Sequence, residues 1–154
     1  VRLAIVAVGR LGRTPEAGLV RLYVERATAV GRPIGLGPVE VIEVEARKPG
    51  RASEARALEA YLADSRIIAC DEAGRARTSR DLSAEIGRLR DDGIRRLAFL
   101  IGGADGLDPA LRAQAHDTLA FGPQTWPHAL ARVMLAEQIY RTTTLLAGGP
   151  YHRD

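Results

Sequence analysis

Residues 95–109 read RRLAFLIGGADGLDP, and the order of residue types in that stretch decides the fold class. Residues 95–101 end in an unbroken apolar run, Leu97 to Ile101. That run reads as a strongly apolar strand, and Gly102 and Gly103 end it. The loop Gly102-Gly103-x-x-Gly106 follows. Adjacent glycines let the backbone approach a ligand closely, or take φ > 0 at no steric cost. Asp108-Pro109 then caps a helix running to about residue 116. The glycine spacing is neither G-x-G-x-x-G nor a P-loop, so a phosphate cradle is not supported. On these residues alone, a tight strand-to-helix turn explains the loop somewhat better than a ligand does.

The same alternation extends in both directions. Residues 2–8 (RLAIVAV) form a strand, and Thr14-Pro15-Glu16 starts a helix reaching about residue 30. Breakers fill residues 31–38, and residues 39–44 (VEVIEV) form a second strand whose Glu40 and Glu43 predict a partly wet face. A basic loop, residues 46–50 (ARKPG), precedes a helix over about 52–63. Residues 66–70 form the third strand, residues 71–78 a polar loop. Thr78 or Ser79 caps a helix ending near Gly93. After the fourth strand and its helix come a short strand at 118–121, a loop at 122–127 and the longest helix at 128–146. The tail, residues 147–154, holds Gly148, Gly149 and Pro150 and cannot continue that helix. Strand and helix repeated five times predict an α/β domain over residues 1–154, with a mostly parallel sheet flanked by helices. In such sheets ligands bind at the carboxyl ends of strands. The loops after Val8, Cys70, Ile101 and Phe121, together with the tail, are the places to look.

The 154 residues and 46% hydrophobic content suffice to bury a sizeable core. No apolar run approaches the roughly 20 residues a membrane-spanning helix needs, so no membrane association is expected. Residues 1–8 lack a basic n-region and a cleavage site and read as a strand rather than a signal peptide. Cys70 is the only cysteine, which excludes an internal disulfide and a cysteine metal cluster; a cytoplasmic location is the natural reading. The net charge of +3 does not by itself indicate nucleic acid. Lys48 is the only lysine, and the arginine bias matches coding in a GC-rich genome.

Three further groups carry possible chemistry. In residues 121–132 (FGPQTWPHALAR), Pro123 and Pro127 stiffen the loop, Trp126 is the only tryptophan, and His128 shares a helix face with Arg132 at i, i+4. A lone histidine there reads first as a capping or core residue. Glu137 and Arg141 are spaced i, i+4 in the favourable order, as in an ordinary surface pair. Pro150-Tyr151-His152-Arg153 offers a π-face, an imidazole and a guanidinium in succession, groups that stack on bases and grip phosphates. Asp71-Glu72 reads as a solvated acid pair. No HExxH, no Gly-x-Ser-x-Gly and no metal-ligand spacing among His116, His128 and His152 is present, so no metal is expected.

Taken together, residues 2–9 (RLAIVAVG), 99–107 (FLIGGADGL), the pattern Pro127-His128-x-Leu130-x-Arg132, Glu137-Gln138-x-Tyr140-Arg141 and the terminal Pro150-Tyr151-His152-Arg153 resemble the RlmH family over essentially the whole chain. Members of that family methylate N3 of a pseudouridine in 23S ribosomal RNA. The resemblance implies a SPOUT-type fold with a C-terminal trefoil knot, where pattern reasoning alone gives an open doubly wound sheet. It implies S-adenosyl-L-methionine as the only cofactor, a homodimer, and the ribosome or its large-subunit rRNA as partner. Carried over by position, Cys70, Gly102, Gly103, Gly122, Pro123, Gln124, Thr125, Trp126 and Pro127 are expected to bind the cofactor. The long helix is expected at the dimer interface, with Tyr151, His152, Arg153 and Arg141 at the target base. Cys70, Gly122 and Pro123-Gln124 depart from the family pattern, which expects a bulkier apolar residue at 70 and Ser at 122. Pseudouridine N3 must lose an imide proton, which requires a base or a water relay; His152 or Tyr151 is expected to orient N3 and help its deprotonation, with Arg141 and Arg153 stabilising negative charge. Other readings are a methyltransferase of the same fold acting on another RNA site such as a tRNA, a non-catalytic ribosome-binding module, and an unrelated nucleotide-dependent α/β enzyme.

Overall fold

The computed structural model describes residues 1–154. Five strands, β1 (Arg2–Val8), β2 (Val39–Val44), β3 (Arg66–Cys70), β4 (Arg96–Ile101) and β5 (Asp117–Leu119), form one sheet in the order β2-β1-β4-β3-β5. Every pairing is parallel. Phe99 in the central strand stands beside Ile5 on one side and Ile68 on the other.

Four α-helices connect the strands, α1 (Pro15–Gly31), α2 (Arg51–Glu59), α3 (Ser79–Asp91) and α4 (Pro109–Gln114), and a fifth, α5 (His128–Ala147), follows the last strand. Strand periodicity divides their work. Leu3, Ile5, Leu97, Phe99 and Ile68 face one side and pack with Val20 and Ala27 of α1, Leu82 and Ile86 of α3, and Leu135 and Ile139 of α5. Ala4, Val6, Ala98, Leu100 and Ala69 face the other and meet Ala55 and Leu58 of α2 and Leu111 of α4. Both faces are covered, which explains why the central strands are apolar throughout rather than alternating. Each fully buried Leu, Ile or Phe contributes about 1.5–3 kcal/mol of transfer free energy.

The local stop and start signals act as expected. Thr14 Oγ1 accepts from the Ala17 N–H (3.2 Å), Thr78 Oγ1 from the Asp81 N–H (3.0 Å), and Asp108 Oδ1 from the Ala110 N–H (2.8 Å). Thr78, not Ser79, is therefore the cap of α3. Gly93 ends that helix at φ +80°. Helix α2 is shorter than its apolar pattern implies: it stops at Glu59, and the chain turns at Ala60 while Leu62 still reaches the core. The two glutamates of β2, an odd number of residues apart and so on opposite faces, are each tied down by an ion pair, Glu40 with Arg96 and Glu43 with Arg132.

Candidate active site

The carboxyl ends of β3, β4 and β5 open into a cleft of about 800 Å³. Its walls are the loops that follow those strands, closed by the first turn of α5. Cys70, Gly102, Gly103, Gly122, Gln124, Thr125, Trp126 and Pro127 all line it. Pro123 does not; it is exposed. The loop after Val8 is also absent from the lining.

Gly102 is dictated by backbone packing. A Cβ there would lie 2.6 Å from the carbonyl carbon and oxygen of Gly106, because the loop folds back on itself. Gly122 has φ +96°, a conformation that glycine adopts freely and serine does not, so the departure from Ser suits this backbone. Glu72 accepts from the Thr125 hydroxyl (2.7 Å), and Trp126 Nε1 donates to the Phe121 carbonyl (3.1 Å), so the loop of residues 121–127 is held at both ends. Asp71 is not a solvated acid: it accepts from the Ala73 N–H (2.8 Å) and pairs with Arg112 (3.3 Å). Cys70 is half-buried at the strand end. Burial first, and then the Asp71 charge, push its thiol up to about 12, with Arg77 opposing, so it is a neutral wall residue.

The cleft suits S-adenosylmethionine. Its volume lies in the range of sites that enclose a small organic ligand. Ile101, Leu107, Phe121, Trp126 and Pro127 give apolar surface for a purine, while Asp71, Asp105, Arg51 and Arg112 present both signs of charge to a ribose and a zwitterionic amino-acid end.

The tail forms a second cluster, which lines no part of the cleft. Tyr151 donates to Glu137 Oε1 (3.0 Å) and packs on Tyr140 at 4.6 Å between ring centroids. Arg141 grips the same Glu137 oxygen through Nε (3.0 Å) and Nη2 (2.5 Å) and lies over the Tyr151 ring. Glu137 and Arg141 are thus the hub of the tail rather than an ordinary surface pair. Arg141 Nη1 faces His152 Nδ1 at 3.1 Å. A guanidinium only donates, so Nδ1 accepts and Nε2 carries the proton, which it donates to Asp154 Oδ1 (3.0 Å). Arg80 of α3 holds Asp154 through two bonds. These bonds, from Arg80 first and His152 second, hold the Asp154 carboxyl down at about 2. Burial and the bond to Glu137 push the Tyr151 phenol up to about 12, so it donates at neutral pH and is a poor base. Arg153 is exposed and makes no side-chain hydrogen bond or ion pair. A smaller cavity of about 520 Å³ separates the two clusters, bordered by Phe121 and Gly122 on the cleft side and by Glu137 on the tail side.

Two groups escape pattern reading. His128 is exposed at the cleft mouth, neither cap nor core, whereas Arg132, one turn on, is the buried partner of that face. Asp154 and Arg80 carry no signal: their pairing joins residues 74 apart. His116 is structural, its Nδ1 accepting from the Ile67 N–H (3.0 Å).

A family model described as "Predicted SPOUT methyltransferase" matches residues 1–152. A protein of Phenylobacterium zucineum named "Ribosomal RNA large subunit methyltransferase H" is 71% identical over 154 residues, all of both chains. A protein of the same name from Caulobacter sp. (strain K31) is 61% identical, again over all of both. Among solved structures, a probable methyltransferase from Bordetella pertussis Tohama I is similar with a TM-score of 0.55 and 17% identity, covering 92% of this chain and 96% of that one, a likeness of fold alone.

Proposed function

Because the chain belongs to the SPOUT methyltransferase family, we propose that it transfers a methyl group from S-adenosylmethionine to large-subunit ribosomal RNA. The carrying observation is the three-loop cleft at the carboxyl ends of β3, β4 and β5, with its apolar slot and polar ends. The names of relatives at 71% and 61% identity over their whole length support the substrate class. Family resemblance supports the finer assignment, N3 of a pseudouridine in 23S rRNA.

When bound in the cleft bordered by the loop of residues 121–127 and by Gly102-Gly103, S-adenosylmethionine would supply an electrophilic methyl group. The chain's own residues do the rest. The loop of residues 121–127 and Gly102-Gly103 orient the cofactor and exclude water. Positioning of this kind supplies much of the rate in group transfer. In the tail, His152 Nδ1 exchanges Arg141 for the imide N3–H and takes its proton, because the Tyr151 phenol is held protonated by Glu137. Arg141 and Arg153 then face the base oxygens on which negative charge develops.

The tail cluster lies outside its own chain's cleft, which supports a homodimer in which one copy's tail serves the other's cofactor. Leu19 and Leu22 of α1 and Leu130 of α5, exposed together with Trp126, support the same arrangement. A trefoil knot through the loops after β4 and β5, a single SPOUT domain and a cytoplasmic setting complete this reading. A net charge of +3 gives few counterion-releasing contacts, so the substrate is an assembled ribosomal particle recognised partly by shape.

Titration calorimetry with S-adenosylmethionine tests the cleft, and a protein that takes up none at millimolar cofactor contradicts the reading. Methylation of protein-free rRNA as fast as of assembled particles removes the particle from it. His152→Ala is expected to slow single-turnover transfer while leaving cofactor affinity within about threefold; an unchanged rate excludes the residue as the base.

A further inference from the structure

We infer that the loops after β1 and β2 form a basic rim that docks RNA phosphates beside the cleft. This inference rests on the reading of the chain as an RNA methyltransferase and adds where the RNA lies.

Strands β1 and β2 are paired in parallel up to Val8 and Val44, and the Gly9 N–H donates to the Val44 carbonyl (2.8 Å), so both loops leave the sheet side by side. They carry Arg10, Arg13, Arg47 and Lys48, and α2 begins at Arg51. All five side chains belong to exposed residues. Arg10 is paired with Glu45 at 3.4 Å. Arg13, Arg47, Lys48 and Arg51 form no ion pair. Of the other acids beside the strand ends, Glu43 is occupied by Arg132 and the Leu11 N–H, and Glu54 lies against Gly103 on the β4 side, so the five cations still outnumber the acids. The rim therefore carries uncompensated positive charge.

Its place matters as much as its charge. Adjacent strands are about 4.8 Å apart, so the β2 loop lies about 10 Å from the end of β4, where the cleft opens. Arg51 belongs to both, because it lines the cleft itself. Arg13, Arg47 and Lys48 stand outside it. Cations that reach phosphates but no base edge set register on RNA and carry no sequence information. A rim of this kind holds the strand flanking the target nucleotide while the cleft acts on one base.

The test removes three rim charges, Arg13→Gln with Arg47→Gln and Lys48→Gln, and leaves Arg51 and the cleft intact. A control of equal charge, Arg2→Gln with Arg32→Gln and Arg95→Gln, alters exposed residues at the opposite ends of the strands. Binding to purified ribosomal large subunits and to protein-free large-subunit rRNA is measured by filter retention from about 50 to 200 mM salt, with methyl transfer followed in parallel. The rim variant is expected to bind both about tenfold more weakly, with a salt slope smaller by about 2–3. Its affinity for S-adenosylmethionine and its rate at saturating particles should match wild type, and the control should change little. Equal weakening by both triples, or an unchanged slope, overturns the rim. Weaker binding to particles but not to free rRNA points to an acidic ribosomal protein and overturns the RNA assignment. A wild type that binds without methylating overturns the catalytic reading alone, and the binding difference still decides the rim.

Discussion

Arg132 and Glu43 meet at 2.6 Å across 89 residues of sequence, and that pair fastens the start of α5 to the far side of the sheet. The Arg132 side chain is 1% exposed. Its Nη2 also donates to the carbonyls of Val8 (3.2 Å) and Gly9 (3.0 Å), and the same Glu43 oxygen accepts from the Leu11 N–H (2.8 Å). Losing one member of such a pair leaves the other partly buried without its partner. Arg132→Ala is expected to destabilise the fold by about 3 kcal/mol. Glu43→Gln, which keeps an acceptor, should cost about 1 kcal/mol. Urea midpoints at constant slope measure both, and equal small losses contradict the account.

Gly102→Ala is expected to weaken S-adenosylmethionine binding at least tenfold, since its Cβ meets Gly106 backbone at 2.6 Å and the wall must move. Gly148→Ala is the comparison: φ is +77° there, but no atom lies within 4 Å of the added carbon. It should cost about 1 kcal/mol of stability and leave cofactor affinity unchanged. Calorimetry on both variants separates a wall effect from a general one.

The Cys70 thiol, pushed up to about 12 by burial and then by Asp71, is protonated throughout the neutral range. Only the thiolate attacks a disulfide reagent or an alkylating agent. Modification near pH 8 is expected to be at least tenfold slower than for a free cysteine of ordinary pKa near 8.5. S-adenosylmethionine should slow it further, because Cys70 lines the cleft. Cys70→Val, which restores a bulkier apolar residue, should retain transfer activity.

Two groups in the tail give opposite pH limits. Asp154 is held down at about 2, from 3.8, by Arg80 and His152. Its contribution is complete above pH 4 and is lost as pH falls through about 2, when the carboxyl protonates and releases Arg80. Tyr151 is raised from 10 to about 12 by burial and its bond to Glu137. Its contribution is complete below pH 10 and is lost as pH rises through about 12. The Arg80 Nε–H resonance should report the first, and phenolate absorbance the second. Glu137→Gln is expected to lower the phenol's midpoint, and an unchanged midpoint contradicts the assigned bond.

Local signals made most of this fold legible. Thr14, Thr78 and Asp108 cap helices because their side chains reach a backbone N–H two or three residues away, and such contacts can be read in the sequence. The end of α2 was not legible, since Leu62 keeps the apolar spacing going after the helix has stopped. In the site, glycines and a stiff loop marked the cleft walls, and eight of the nine expected cofactor residues line them, all but Pro123. The ion pairs that organise the rest were hidden because each joins distant segments: Arg132 with Glu43, Arg112 with Asp71, and Arg80 with Asp154. Helical spacing drew attention to His128, yet the residue one turn later holds α5 in place.

The most direct test of the central claim is transfer of labelled methyl from S-adenosylmethionine to purified ribosomes lacking the modification, followed by digestion of the RNA and mass spectrometry of the labelled nucleoside. The account predicts label in large-subunit rRNA, as N3-methylpseudouridine. Cofactor binding with no label in any large-subunit nucleoside would contradict it.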